Sequence, residues 1–188
     1  IEVELSIGFD AKPLVADEEE ELNDVYAPSH FNASVLDNTT PGQYAQLKSH
    51  PDKRFIDAIK EGLFQSMQQH NNLVLMGQDI AEYGGVFKIT EGFVQEFGKE
   101  RVRNTPLCES AIVGAALGLS LEGFKSMMEM QFADFVTEGF NQIVNNLAKI
   151  HYRWGQNADV VIRMPCGGGV GAGPFHSQSN EAWFVHTP

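Results

Sequence analysis

A chain of 188 residues that is 43% hydrophobic is long enough for one domain with a sizeable core and an appendage. Its 25 acidic residues against 13 basic ones leave a net charge of −12, which argues against nucleic acid or an anionic membrane as partner, since both are held by clustered lysine and arginine. The longest nearly unbroken apolar stretch, AIVGAALGLSL, is too short to span a bilayer, and Cys108 and Cys166 form neither a metal spacing nor a disulfide framework, which points to a reducing compartment.

The acidity is uneven. Residues 1–50 hold ten acidic and two basic side chains and so carry −8 of the total of −12. They include ADEEEELND and then APSHFNASVLDNTTPGQ, with no lasting hydrophobic period, and 1–51 reads as an irregular acidic tail or linker. No signal-peptide pattern is present, and a start at Ile1 rather than Met fits a lost leader or a larger parent chain.

Organisation changes at Asp52. DKRFIDAIKEGLFQSMQQH repeats apolar residues at Phe55, Ile56, Ile59, Leu63 and Met67, which predicts a helix with Asp52 as its N-cap. LVLM (73–76) follows as a short buried strand. TEGFVQEFG predicts a short helix started by Thr90 and stopped by Gly98, RVRN a strand, and ESAIVGAALGLSLEG a helix whose Gly114, Ala115 and Gly118 permit close approach of another backbone. KSMMEM is the next strand. ADFVTEGFNQIVNNLAKIHYRWG predicts one long helix, with Val136, Phe140, Val144, Leu147 and Ile150 on a stripe, and DVVIRM (159–164) the last strand. Strands alternating with helices specify an α/β domain over 52–188, with a largely parallel sheet flanked by helices.

A parallel sheet gives the chemistry an address, because ligands of open α/β sheets bind beyond the carboxyl ends of the strands. The segments there are GQDIAEYGG, NTPLCES, QFADF and CGGGVGAGPFHSQ, and each is polar or glycine-rich. In the last, Gly167-x-Gly169-x-x-Ala172 fits a loose dinucleotide fingerprint, but Gly173-Pro174 follows where a helix should open, and no acidic residue stands about 20 positions on. No phosphate-binding G-x-x-x-x-G-K-[ST] loop occurs. The glycine run instead presents Phe175 and His176, or else is a plain surface loop. Glu109 stands where a strand gives way to a helix; it is either a carboxylate favoured by the helix dipole or a proton-sharing group for a ligand nitrogen. Asp134 in QFADF reads as an N-cap flanked by Gln131 and Phe135, and Phe135 as either core or ligand contact. The six histidines show no HxxH or HExxH pattern.

Taken together, LVLMGQDIAEYGGVFKITEGF, VRNTPLCESAIVGAALGL, EMQFADF, NQIVNNLAK and FHSQSNEAWFVHTP resemble the β-subunit of the thiamine-diphosphate-dependent first component of 2-oxo acid dehydrogenase complexes, over 52–188. NTPLCE and EMQFADF are closer to the branched-chain members than to the pyruvate members. The resemblance implies a pyrimidine-binding domain and oxidative decarboxylation of a branched-chain 2-oxo acid, with acyl transfer to lipoamide. The same chemistry on pyruvate is the alternative, and a non-catalytic interaction domain is a third reading.

Carried over residue by residue, Glu109 matches the glutamate that hydrogen-bonds a ring nitrogen of the aminopyrimidine. Phe135 matches the aromatic position stacking on it (often Tyr), and Leu107 and Gln131 match neighbouring cofactor contacts. His176 matches the loop histidine implicated in passing the acyl group on. Backbone carbonyls of Ala158, Val160 and Val161 match part of a structural potassium site. The family's diphosphate and magnesium site uses a GDG…N motif, and no G-D-G occurs here, so magnesium would be held by an α-type partner domain. The resemblance further implies self-association through this domain, a lipoyl domain of the acyltransferase component as partner, and a cytoplasmic location in a bacterium or the mitochondrial matrix in a eukaryote. Residues 1–28 weakly resemble the tail of an α-subunit, which implies a parent with α and β parts fused; the isolated chain is expected to be inactive.

Overall fold

In the computed structural model, residues 1–13, 15–23 and 52–187 are described. The acidic segment departs from the irregular structure expected of it: Glu2–Phe9 (α1) and Glu18–Asn23 (α2) are helical. The second is started by Asp17, whose carboxylate accepts the N–H groups of Glu19 and Glu20 at 3.0 and 3.1 Å, with acidic residues filling the first turn. Local capping and the helix dipole favour the second helix, and the Tyr152 hydroxyl donates to its Glu21 at 2.6 Å, while neither helix buries a residue. The rest of the expected linker, 24–51, lies outside the described residues.

From residue 52 the order is Phe55–Gln69 (α3), Leu73–Gly77 (β1), Phe93–Phe97 (α4), Val102–Asn104 (β2), Glu109–Leu121 (α5), Lys125–Glu129 (β3), Val136–Asn141 (α6), Ile150–Trp154 (α7) and Val160–Arg163 (β4). Among the described residues the strands form one sheet in the order β2-β1-β3-β4, parallel at every pairing. All four strands lie where alternation and apolar content placed them.

Two helix starts and the continuity of one helix are corrected. Helix α3 is entered through extended Arg54, which pairs with Asp57, rather than through Asp52, and Phe55 at its start is 81% exposed. Helix α4 begins after Gly92 instead of at Thr90, because the Thr90 hydroxyl is buried and donates to the Ile80 carbonyl at 2.7 Å. The expected single helix over 133–155 is wound unevenly: a 3-10 turn at Ala133–Phe135, α6, a π turn at Gln142–Asn146, a 3-10 turn at Leu147–Lys149, then α7. The asparagines in its middle are weak helix formers that bond along their own side chains, Asn145 to Asn141 at 2.7 Å among them.

The sheet is covered on both faces, as parallel sheets must be. Alternate residues of β1 divide between two cores: Leu73 and Leu75 join Met67, Phe93, Val94 and Met127, while Val74 and Met76 join Ile112, Val113, Ala116, Met128 and Val136. Gly77, at the end of β1, is held by close approach to the neighbouring strand. A Cβ there would lie 2.8 Å from the Glu129 carbonyl oxygen and 3.1 Å from Ile80 Cγ2. Backbone cannot yield as a flexible side chain can, so Gly77→Ala is expected to destabilise the domain by about 1–3 kcal/mol. Urea unfolding measures it, and an unchanged midpoint would contradict the close approach.

Candidate functional site

Strand order creates the site. From β1 the chain runs to β2 on one side, then returns through α5 to β3 on the other, so β1 and β3 flank a topological switch point, the position beyond the strand ends where open α/β sheets hold their ligands. The residues emerging there are Gln78 and Asp79 after β1 and Gln131 after β3, with Glu109 at the first turn of α5.

Gln78 is 4% exposed, and its Nε2 donates to Glu109 Oε1 at 3.0 Å. Its own Oε1 is buried without a partner among the described residues. Asp79 turns the chain sharply, with φ 57°, a left-handed conformation that few residues other than glycine adopt. Its carbonyl accepts the Gly85 N–H at 2.8 Å, and its carboxylate accepts from Gln131 Nε2 at 3.3 Å. Glu109 and Gln131 are therefore linked through two consecutive residues of one loop.

The next residue after Gln131 begins an aromatic group. The Phe132 ring meets Phe87 at 5.8 Å, Phe135 at 5.9 Å and His176 at 4.9 Å, and His176 meets Phe135 at 5.4 Å, all edge to face. His176 reaches this group because the glycine-rich loop is closed at its base, where Gly167 N–H donates to the Gln178 carbonyl at 3.0 Å. Positive φ at Gly171 and Gly173, 67° and 78°, folds the loop back, which needs residues without a Cβ. The run opens only the three-residue 3-10 turn Gly168–Val170, not the helix of a dinucleotide site.

Asp134 is not the N-cap expected of it. It lies within the 3-10 turn, 7% exposed, and its carboxylate accepts the Gln178 N–H at 3.1 Å. It clasps the glycine loop to the end of β3. Behind the clasp is a cavity of about 300 Å³ lined by Ala133, Val136, Met164, Cys166, Asn180 and Phe184, among others. There the Cys166 thiol donates to Glu181 at 3.2 Å, and that carboxylate pushes the thiol up from its ordinary value.

Glu109, Gln131, Phe135 and His176, all half-buried, thus sit at one end of the sheet. Leu107, two residues before Glu109, is 81% exposed at the rim. Ala158, Val160 and Val161 lie elsewhere, at the entry of β4 and so at the opposite end of the sheet. The carbonyls of Asp159 and Arg163 accept from β3, so strand alternation turns Val161's carbonyl to β3 and those of Ala158 and Val160 away from it. Among the described residues no three His, Cys, Asp or Glu side chains group as metal ligands, and no helix is long and apolar enough to cross a membrane.

Sequence reasoning missed Gln78, Asp79 and Phe132, although their segments were marked by position, and it missed one ion pair. Glu129, 2% exposed at the end of β3, pairs with Arg163 beside it on β4: Nε donates to Glu129 Oε2 at 3.1 Å and Nη2 lies 2.8 Å from the same oxygen. Burial pushes the Glu129 carboxyl up, and Arg163 partly opposes the shift. The signal available was an ionisable residue in each of two adjacent apolar strands.

The chain matches the transketolase pyrimidine-binding domain family over residues 53–188 and belongs to it. Among its relatives, the 2-oxoisovalerate dehydrogenase subunit beta of Bacillus subtilis is 43% identical over 136 residues, covering 71% of this chain and 42% of the relative. The 3-methyl-2-oxobutanoate dehydrogenase subunit beta of Mycobacterium tuberculosis and the pyruvate dehydrogenase E1 component subunit beta of Leifsonia xyli are each 42% identical over 134 residues, 70% of this chain and 38% and 40% of theirs. The chain spans about two fifths of the length of these relatives.

Proposed function

We propose that this chain supplies the pyrimidine half of the active site in a thiamine-diphosphate-dependent 2-oxo acid dehydrogenase acting on a branched-chain 2-oxo acid, with transfer of the acyl group to lipoamide. The observation that carries the reading is the half-buried Glu109 at the switch point, held by the buried Gln78 at the end of the sheet that also carries the Phe135 and His176 pair. This donor set fits an aminopyrimidine. A carboxylate can share a proton with a ring nitrogen, and an aromatic ring can stack on the heterocycle. When bound, thiamine diphosphate supplies the electron sink for loss of carbon dioxide.

Glu109 would hold the proton shared with the ring, and Gln131, Leu107 and Phe135 would be its other contacts in this chain. His176 would serve acyl transfer. Magnesium and the diphosphate belong to an α-type partner domain. The carbonyls of Ala158 and Val160 offer part of a structural potassium site. Small residues on α5 and the cluster Tyr152, Arg153 and Trp154 on α7 serve self-association, and a lipoyl domain is the acyl acceptor. The location is cytoplasmic, or the mitochondrial matrix in a eukaryote. Pyruvate as substrate is the second reading, favoured by the Leifsonia relative.

The test is turnover by the enzyme assembled with its partner subunit, with a dye as electron acceptor. A branched-chain oxo acid is expected to exceed pyruvate in kcat/KM by at least about tenfold, the worth of one or two buried methyl groups. Preference for pyruvate supports the second reading, and turnover of neither overturns both. In the same assembly, His176→Ala is expected to slow transfer to a lipoyl domain at least as much as reduction of the dye. Wild-type rates with both acceptors would remove His176 from the site.

A further inference from the structure

We propose that Gln78 is the positioning residue for Glu109, holding its carboxylate in one orientation at the switch point; this rests on the reading of Glu109 as the group that shares a proton with the cofactor. The backbone first fixes where Gln78 stands. It follows directly on the fully buried β1, and Gly77 before it is pressed against the Glu129 carbonyl. Asp79 after it is locked in a left-handed turn whose carbonyl is bonded to Gly85. The side chain leaves this rigid point 4% exposed and donates at 3.0 Å to Glu109 Oε1. Among the described residues no cation pairs with Glu109, and the Gln78 amide is its one side-chain hydrogen bond.

The choice of a neutral partner has a chemical consequence. A lysine or arginine here would favour the ionised carboxylate strongly and resist its taking up a proton. An amide orients the group without that bias. Its N–H donates to a carboxylate, and its oxygen, buried and unpartnered, can accept from a carboxylic acid after rotation about the last side-chain bond. Gln78 can thus hold Glu109 in place in both of the states that proton sharing requires.

Gln78→Leu, in the enzyme assembled with its partner subunit, tests this, with Gln78→Met as a second variant of similar length should leucine impair folding. Two quantities are read: the dissociation constant of thiamine diphosphate with magnesium by calorimetry, and the exchange rate of the bound thiazolium proton by quenched-flow NMR. Exchange is expected to slow by roughly 10–100-fold, the worth of one hydrogen bond to a charged group. Cofactor affinity is expected to change less than about threefold, because the orientation and not the contact is lost. In a Glu109→Gln background the substitution at 78 is expected to add nothing, since residues acting as a unit are non-additive. Wild-type exchange in both Gln78 variants, or a full additive loss in the double variant, would overturn the proposal. Wild-type exchange in Glu109→Gln alone would instead overturn the role of Glu109.

Discussion

Glu109→Gln in the assembled enzyme is expected to slow thiazolium proton exchange by about 10²–10⁴-fold, the usual worth of a positioned acid–base group. The substitution keeps size and shape, and an amide at 109 can still bond Gln78, so the loss falls on proton sharing and not on packing. The fold cost is confined to removing one carboxylate from the first turn of α5, about 0.3–1 kcal/mol through the helix dipole. Thermal unfolding should therefore remain close to that of the native protein while exchange collapses. Exchange at the native rate would reduce Glu109 to a residue that merely favours its helix.

Arg163→Leu is expected to be the most destabilising single change, by about 3–5 kcal/mol at pH 7, because it leaves the Glu129 carboxylate buried and unpaired. The pH dependence follows from the direction of the Glu129 shift. Its folded value is raised above the ordinary carboxyl value, so the folded state binds the proton more tightly than the unfolded one. Stability is full below the unfolded value, about 4.3, and is lost as pH rises through the folded value. Removing Arg163 takes away the opposing attraction and pushes the folded value further up, so the loss should be smaller at pH 5 than at pH 7. Glu129→Gln in the same background should restore much of the stability at pH 7. Urea unfolding at the two pH values checks this. A loss independent of pH, unrelieved by the second substitution, would assign the effect to lost packing of the arginine stem.

The strands were legible because each is a short apolar run between turn residues, and a buried parallel strand can hardly be anything else. LVLM and DVVIRM contain the cores of β1 and β4. Helix starts were less legible, since capping depends on which carboxylate or hydroxyl is free. Thr90 is occupied by the Ile80 carbonyl, and Asp134 by the Gln178 N–H. Glu109, Gln131, Phe135 and His176 stood out in sequence because each follows a strand, where a parallel sheet places its ligands.

The sequence by itself determined the α/β alternation, the four strands and the segments that carry polar residues past the strand ends, all properties of local pattern and of which residues can be buried. Only the tertiary structure decided that β1 lies between β2 and β3. That order makes the ends of β1 and β3 the switch point, and so brings Gln78 against Glu109 from 31 residues away. It also decided that Glu129 and Arg163, 34 residues apart, neutralise each other inside the sheet. Such pairings depend on strand order and register, which arise from how whole elements pack across distances that no local pattern encodes.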